Sequence, residues 1–93
     1  MLAEAIADME ETREFYQEHA SNTVAAQFLD QVERASNRFV ERPFLGAPLT
    51  PLLRRLLLQQ FPYSLIYQID GELVTILAVA AHRRRPGYWA KRG

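Results

Sequence analysis

Phe61-Pro62-Tyr63-Ser64-Leu65-Ile66-Tyr67-Gln68-Ile69-Asp70-Gly71-Glu72-Leu73-Val74-Thr75-Ile76-Leu77-Ala78-Val79-Ala80-Ala81 is the stretch that decides the fold. Residues 63 to 69 are rich in aromatic and β-branched side chains and read as a strand. Asp70-Gly71 predicts a tight hairpin turn, with both central positions at positive φ. That turn sets a register of Ile69 with Glu72, Tyr67 with Val74 and Leu65 with Ile76. Tyr63, Leu65 and Tyr67 then share one face, which reads as core. The returning strand, from Glu72 to about Ala80, is apolar almost without interruption. Such a strand is expected to be covered on both faces.

Working outward, residues 54 to 60 predict a preceding strand. The result is a three-strand meander with the Glu72–Ala80 strand on an edge, so that edge needs a cover. Pro43, Gly46, Pro48 and Pro51 mark an irregular connector over residues 42 to 53. Arg42 precedes a proline and closes a helix. That helix, residues 23 to 41, repeats Ala25, Phe28, Leu29, Val32, Ala35, Ser36 and Phe39 at three-and-four spacing. Ser21 or Asn22 supplies its N-cap. Residues 2 to 19 predict a first helix, with Leu2, Ile6, Met9 and Tyr16 as its apolar face. The break between the two helices is short, which makes them an antiparallel hairpin. The expected fold is α+β: an N-terminal helix hairpin packed on a C-terminal antiparallel sheet. Residues 1 to 93 form one domain, divided as hairpin 1–41, connector 42–53, sheet 54–81 and a basic aromatic tail 82–93.

Hydrophobic residues make up 48% and charged residues 24% of the chain, ordinary values for a globular domain. The longest apolar run, Leu73 to Ala81, is too short for a bilayer span. No basic segment leads an apolar core at the N-terminus, so no signal peptide is expected and a cytoplasmic location fits. Cysteine is absent, which excludes disulfides, thiolate metal sites and cysteine nucleophiles. Two distant histidines give no metal-ligand spacing, and four scattered glycines give no phosphate-cradling loop. Neither a metal nor a cofactor is expected. The net charge of zero conceals a division. Residues 1–41 carry nine acids against three arginines, and residues 42–93 carry eight cations against two acids. The C-terminal half therefore projects a positive field.

Functional candidates follow from that field. Arg83, Arg84 and Arg85 close the last strand and suit an anionic or acidic partner, because guanidinium offers a fork of donors. Tyr88 and Trp89 either stack on a ligand or fold back to cap the core. His82 has the chemistry of a general acid or base, but more simply ends a strand. His19 sits at a helix C-terminus, where a cation is favourable. The acids of the first helix form its solvated face.

The order of helix hairpin, Pro-Phe-Leu-Gly connector, Leu53-Arg54-Arg55-Leu56-Leu57-Leu58 strand, Phe61-Pro62-Tyr63-Ser64-Leu65-Ile66-Tyr67 and His82-Arg83-Arg84-Arg85-Pro86-Gly87-Tyr88-Trp89 resembles the RelE/ParE superfamily. These are toxins of type II toxin–antitoxin modules, often described as plasmid stabilisation proteins. The resemblance covers nearly the whole chain. It implies a protein antitoxin as partner and a hetero-oligomeric complex. Family members usually begin with a β-strand, so the resemblance implies a sheet lacking its first strand. ParE-like members inhibit DNA gyrase, and RelE-like members cleave messenger RNA on the ribosome. The FPY and Pro-Gly-Tyr-Trp pieces look more like the ParE branch, with Arg83, Arg84, Arg85, Tyr88 and Trp89 as target- or antitoxin-binding residues. For the nuclease branch the matching residues are Arg55, Arg83, Arg84 and Tyr88, without a lysine between Arg54 and Tyr67. A third implied possibility is a member that binds its antitoxin without being toxic. The free edge of the Glu72–Ala80 strand is expected to be covered by an antitoxin segment or a second copy of the chain.

Overall fold

The computed structural model describes residues 1–84 and 87–92. Two helices, α1 (Ala3–His19) and α2 (Asn22–Glu41), precede four strands. These are β1 (Ala47–Pro48), β2 (Leu53–Leu57), β3 (Tyr63–Asp70) and β4 (Leu73–Ala81), antiparallel in the order β1-β2-β3-β4. The α+β expectation holds. The connector was expected to be irregular throughout, but Ala47 and Pro48 pair with Arg55 and Arg54 and add a short edge strand. A proline is tolerated there because an edge position needs no second donor.

The α2 stripe is as expected. Ala25, Phe28, Val32, Ala35 and Phe39 are buried, and Leu29 is half-buried beside them. Ser21 caps the helix by accepting a hydrogen bond from the Val24 N–H at 3.1 Å. Phe28 packs edge-on against Phe61 and Tyr63, and Phe39 stacks on Tyr67 with centroids 4.1 Å apart. Each buried aromatic contributes about 1.5–3 kcal/mol by leaving water.

The face of α1 differs from the expectation. Ile6 is exposed, whereas Ala5 and Thr12 are buried and Met9 and Tyr16 are half-buried. Small residues let the helix lie close to β4. Thr12 satisfies its hydroxyl by donating to the Asp8 carbonyl at 2.9 Å.

The hairpin turn is also corrected. Asp70 still pairs with Leu73, so Gly71 and Glu72 are the turn residues. Only Gly71 has positive φ, at 62°, where a two-residue loop of the II′ kind calls for glycine. Register therefore moves by two residues, with Tyr67 opposite Ile76. A bulge then falls between Ile66 and Tyr67, opposite the Ile76–Ala78 segment. One extra residue reverses the alternation. Ile76 and Val79 both reach the helix-side core, while Ala78 and Ala80 turn to the other face with Ile66. The strand expected over residues 54–60 ends at Leu57. Leu58 still donates its N–H to the Tyr63 carbonyl at 3.0 Å and buries its side chain.

Tyr67 ties the connector to the sheet. Its hydroxyl donates to the Pro43 carbonyl at 2.7 Å and accepts from the Gly46 N–H at 2.8 Å. A Cβ on Gly46 would lie 2.7 Å from that hydroxyl, so this close approach requires glycine. Arg54 joins the same tie, donating to the Gly46 carbonyl at 2.7 Å and lying 4.8 Å from the Phe44 ring centre.

Candidate functional site

The tail returns across the sheet face opposite the helices. Tyr88 and Trp89 pack against Ile66, Ala78 and Ala80, so β4 is covered on both faces, as its composition required. Trp89 thus caps a second small core. Tyr88 lies between two guanidiniums, with Arg84 4.1 Å and Arg92 5.1 Å from its ring centre. Burial, with Asp8 and Glu11 adding to it, raises the Tyr88 pKa against the opposing pull of Arg84 and Arg92.

The outer edge of β4 is held by its own chain. The Leu2 N–H donates to the Ile76 carbonyl at 2.9 Å. The Asp8 carboxylate accepts from the Val79 N–H at 3.1 Å. Arg92 donates to the Leu77 carbonyl at 3.1 Å and bridges to Asp8 at 2.7 Å. The expectation that an antitoxin or a second copy must cover this edge is corrected to that extent. Two side chains and one backbone group already do so, because α1 runs close enough for Asp8 to reach.

Arg83 and Arg84 border one groove but lean on different rings. Arg83 turns toward α1 and sits 5.7 Å from the Phe15 ring centre. It lines a groove of about 270 Å³ whose far wall carries Glu11, Glu14 and Glu18. Tyr16, next to Phe15 on α1, has a raised pKa from burial and from Tyr63, opposed by Arg83. Arg84 covers Tyr88 and borders both this groove and a smaller cavity on the open face of the sheet. Arg55 lines only the smaller cavity, while Arg54 beside it is spent on the connector. Arg85 lies outside the described residues. Of the four residues of the nuclease reading, Arg83, Arg84 and Tyr88 line the one groove, while Arg55 lies apart on the open face of the sheet.

Sequence reasoning passed over three residues that matter here. Ser64 hydrogen-bonds His82 Nε2 at 2.9 Å from a nearly sealed position. Asp8 was counted among solvated acids, although its spacing from Ala5 and Thr12 puts it on the buried face. Arg92 offered no signal, being one cation in a basic tail. His19 is structural as expected, with a ring nitrogen 3.0 Å from the Phe15 carbonyl and its ring stacked on Phe15. Among the described residues no cluster of metal-ligating side chains occurs, and no helix is long and apolar enough to cross a membrane.

A helix hairpin on an antiparallel sheet, with an aromatic tail folded over its open face, makes this a small α+β domain. The family model described as "ParE toxin of type II toxin-antitoxin system, parDE" matches residues 2–86, and the chain belongs to that family. Among solved structures it is similar to a chain of the "Chromosomal ParDE TA system from P. aeruginosa", with a TM-score of 0.74 and 19% identity over 86% of this chain and 89% of that one. At that identity the likeness speaks for the fold alone. No curated protein sequence matches.

Proposed function

We propose that this chain arrests growth by inhibiting DNA gyrase in the cytoplasm and is neutralised by a cognate antitoxin. The observation that supports this reading is the separation of Arg55 from the groove that Arg83, Arg84 and Tyr88 share. Arg83 leans over Phe15 on the helix side, and Arg55 lies on the opposite face of the sheet. Tyr88 is pressed between guanidiniums with its pKa raised, so it is a neutral phenol and a poor proton acceptor at physiological pH. RNA cleavage without metal needs an acid, a base and charge stabilisation converging on one phosphate. A toxin that works by binding a protein needs only a shaped, charged surface. Arg83, Arg84 and Tyr88 line one such groove, Trp89 adjoins Tyr88, and the family membership points the same way. Antitoxin binding is expected to lay acidic side chains over these arginines.

The test is expression without antitoxin, followed by two assays on purified protein. Growth should stop, gyrase supercoiling should fall, and ribosome-bound mRNA should stay intact. Replacing Arg83, Arg84 and Arg85 with alanine should relieve the arrest while leaving the fold unchanged. Rapid mRNA cleavage at the ribosomal A site would assign the endonuclease activity instead. Harmless expression of a folded chain would leave antitoxin binding as its activity.

A further inference from the structure

We propose that the groove between α1 and the end of β4 docks a helical segment of a partner protein that carries both signs of charge. That segment has an acidic row for Arg83 and Arg84, and beside it a basic row for Glu11, Glu14 and Glu18. The inference rests on the reading that these arginines meet an acidic partner, and it adds what the partner carries along its second edge. It does not depend on gyrase as the target. Glu11, Glu14 and Glu18 recur at three-and-four spacing, so they form one stripe along α1, about 10 Å long on the helical rise. All three are exposed, and they line the groove that Arg83 and Arg84 border from the other side.

The two charged walls do not satisfy each other. Among the described residues the ion pairs are Asp30 with Arg34 and Asp8 with Arg92, and neither involves these five side chains. Arg83 is held over the Phe15 ring at 5.7 Å and Arg84 over the Tyr88 ring at 4.1 Å. A contact with a ring face does not use up the fork of N–H donors that suits a carboxylate. Arg13, the one arginine of α1, is turned to Gln17 and donates to its Oε1 at 3.1 Å, so it gives the stripe no counterion. A helix acidic on every side would bring carboxylates within a Debye length, about 8 Å, of that stripe as it reached the arginines. Like charges brought together in an interface cost affinity and exclude the wrong partner. A helix basic on every side meets the same obstacle at the arginines. Only a segment with both rows is attracted by both walls, and a basic row at three-and-four spacing matches the stripe. Phe15, 38% exposed in the same groove, adds an apolar contact.

The check uses the full chain and three labelled helical peptides of equal length, titrated by fluorescence anisotropy at constant ionic strength. One carries a glutamate row beside a lysine row, one has glutamate in both rows, and one has lysine in both. The two-sign peptide should bind saturably, at least about tenfold tighter than either of the others, the effect of a few exposed charge contacts changing sign. Raised salt should narrow the gap. Replacing Glu11, Glu14 and Glu18 together with glutamine, at exposed positions, should bring the all-glutamate peptide level with the two-sign one. Arg83→Gln should weaken both glutamate-bearing peptides. Glu33→Gln, exposed on α2, should leave the order unchanged. All-glutamate binding as tight as that of the two-sign peptide, and lost in Arg83→Gln, would keep the acidic-partner reading and overturn this proposal. All-lysine binding as tight would overturn it too. No saturable binding by any of the three would remove the acidic-partner reading along with it.

Discussion

Asp8 and Arg92, 84 residues apart in sequence, form a 2.7 Å ion pair whose side chains are only 12% and 17% exposed. The same carboxylate accepts from the Val79 N–H, and the same guanidinium donates to the Leu77 carbonyl. Helix, strand edge and tail thus meet in one network. Removing one member leaves the others buried and unpaired. Asp8→Ala is expected to destabilise the protein by about 3 kcal/mol. Arg92→Ala should cost less, since Asp8 keeps the Val79 N–H. The double variant should lose less than the sum of the two, because the sites share partners. Urea unfolding of the four proteins measures this. Strict additivity would mean that the pair is not coupled.

The Asp8 hydrogen bond, more than its charge, raises the Arg92 pKa further above the usual arginine range. A raised folded-state value stabilises below the unfolded value and is lost only as pH rises through the folded one. For arginine that window lies beyond any practical pH. Alkaline destabilisation, if seen, must come from other groups. Tyr16 and Tyr88 are those groups, both raised above the ordinary tyrosine value of 10.0, chiefly by burial. Above pH 10 the unfolded chain loses these protons first, so stability should fall as pH rises. Tyr16→Phe should make that fall shallower. Unfolding curves collected from pH 9 to 11 decide it, and an unchanged slope would contradict the assignment.

The connector offers a separate check. Tyr67 is fully buried, stacked on Phe39 and bonded to both Pro43 and Gly46. Tyr67→Phe deletes the hydroxyl but leaves a buried N–H and a carbonyl without their partner, at about 1–3 kcal/mol. Gly46→Ala should be at least as damaging, since its Cβ would also lie 2.9 Å from the Arg55 carbonyl, which cannot move without breaking the β1–β2 ladder. Thermal melting of both variants tests this. A melting temperature unchanged in Gly46→Ala would show that the connector can shift.

What was legible in the sequence is what repeats. The α2 stripe from Ala25 to Phe39 lies on the helix-side core because many residues vote for one face. The β3–β4 hairpin was legible for the same reason, but its register was not. Asp70-Gly71 carries two possible turns, and the one adopted goes with a bulge at Leu77 in the strand that packs against α1. The face of α1 misled because its buried positions, Ala5 and Thr12, are small or polar while Ile6 is not. Single long-range contacts leave no periodic trace. Ser64 with His82, and Asp8 with Arg92, are each one event and leave no signal in the spacing of the sequence.

The tail supplies the last prediction. Trp89 is the sole tryptophan of the chain, and it packs with Tyr88 on Ile66, Ala78 and Ala80. Arg92 holds the residues after it to Asp8 and Leu77, and Arg92 N–H in turn donates to the Trp89 carbonyl at 2.9 Å. If the Arg92 side chain is what keeps the tail down, Arg92→Ala should let Trp89 lift before the protein unfolds. Its fluorescence should shift to longer wavelength and become more open to acrylamide quenching, while far-ultraviolet circular dichroism stays native. Local opening of this kind is expected where a terminal segment has few anchors. Arg34→Ala, which loses only an exposed Asp30 pair on α2, should leave the emission where it was. Unaltered Trp89 quenching in Arg92→Ala would place the anchoring in the aromatic contacts alone, and the arginine would then serve the β4 edge and not the tail.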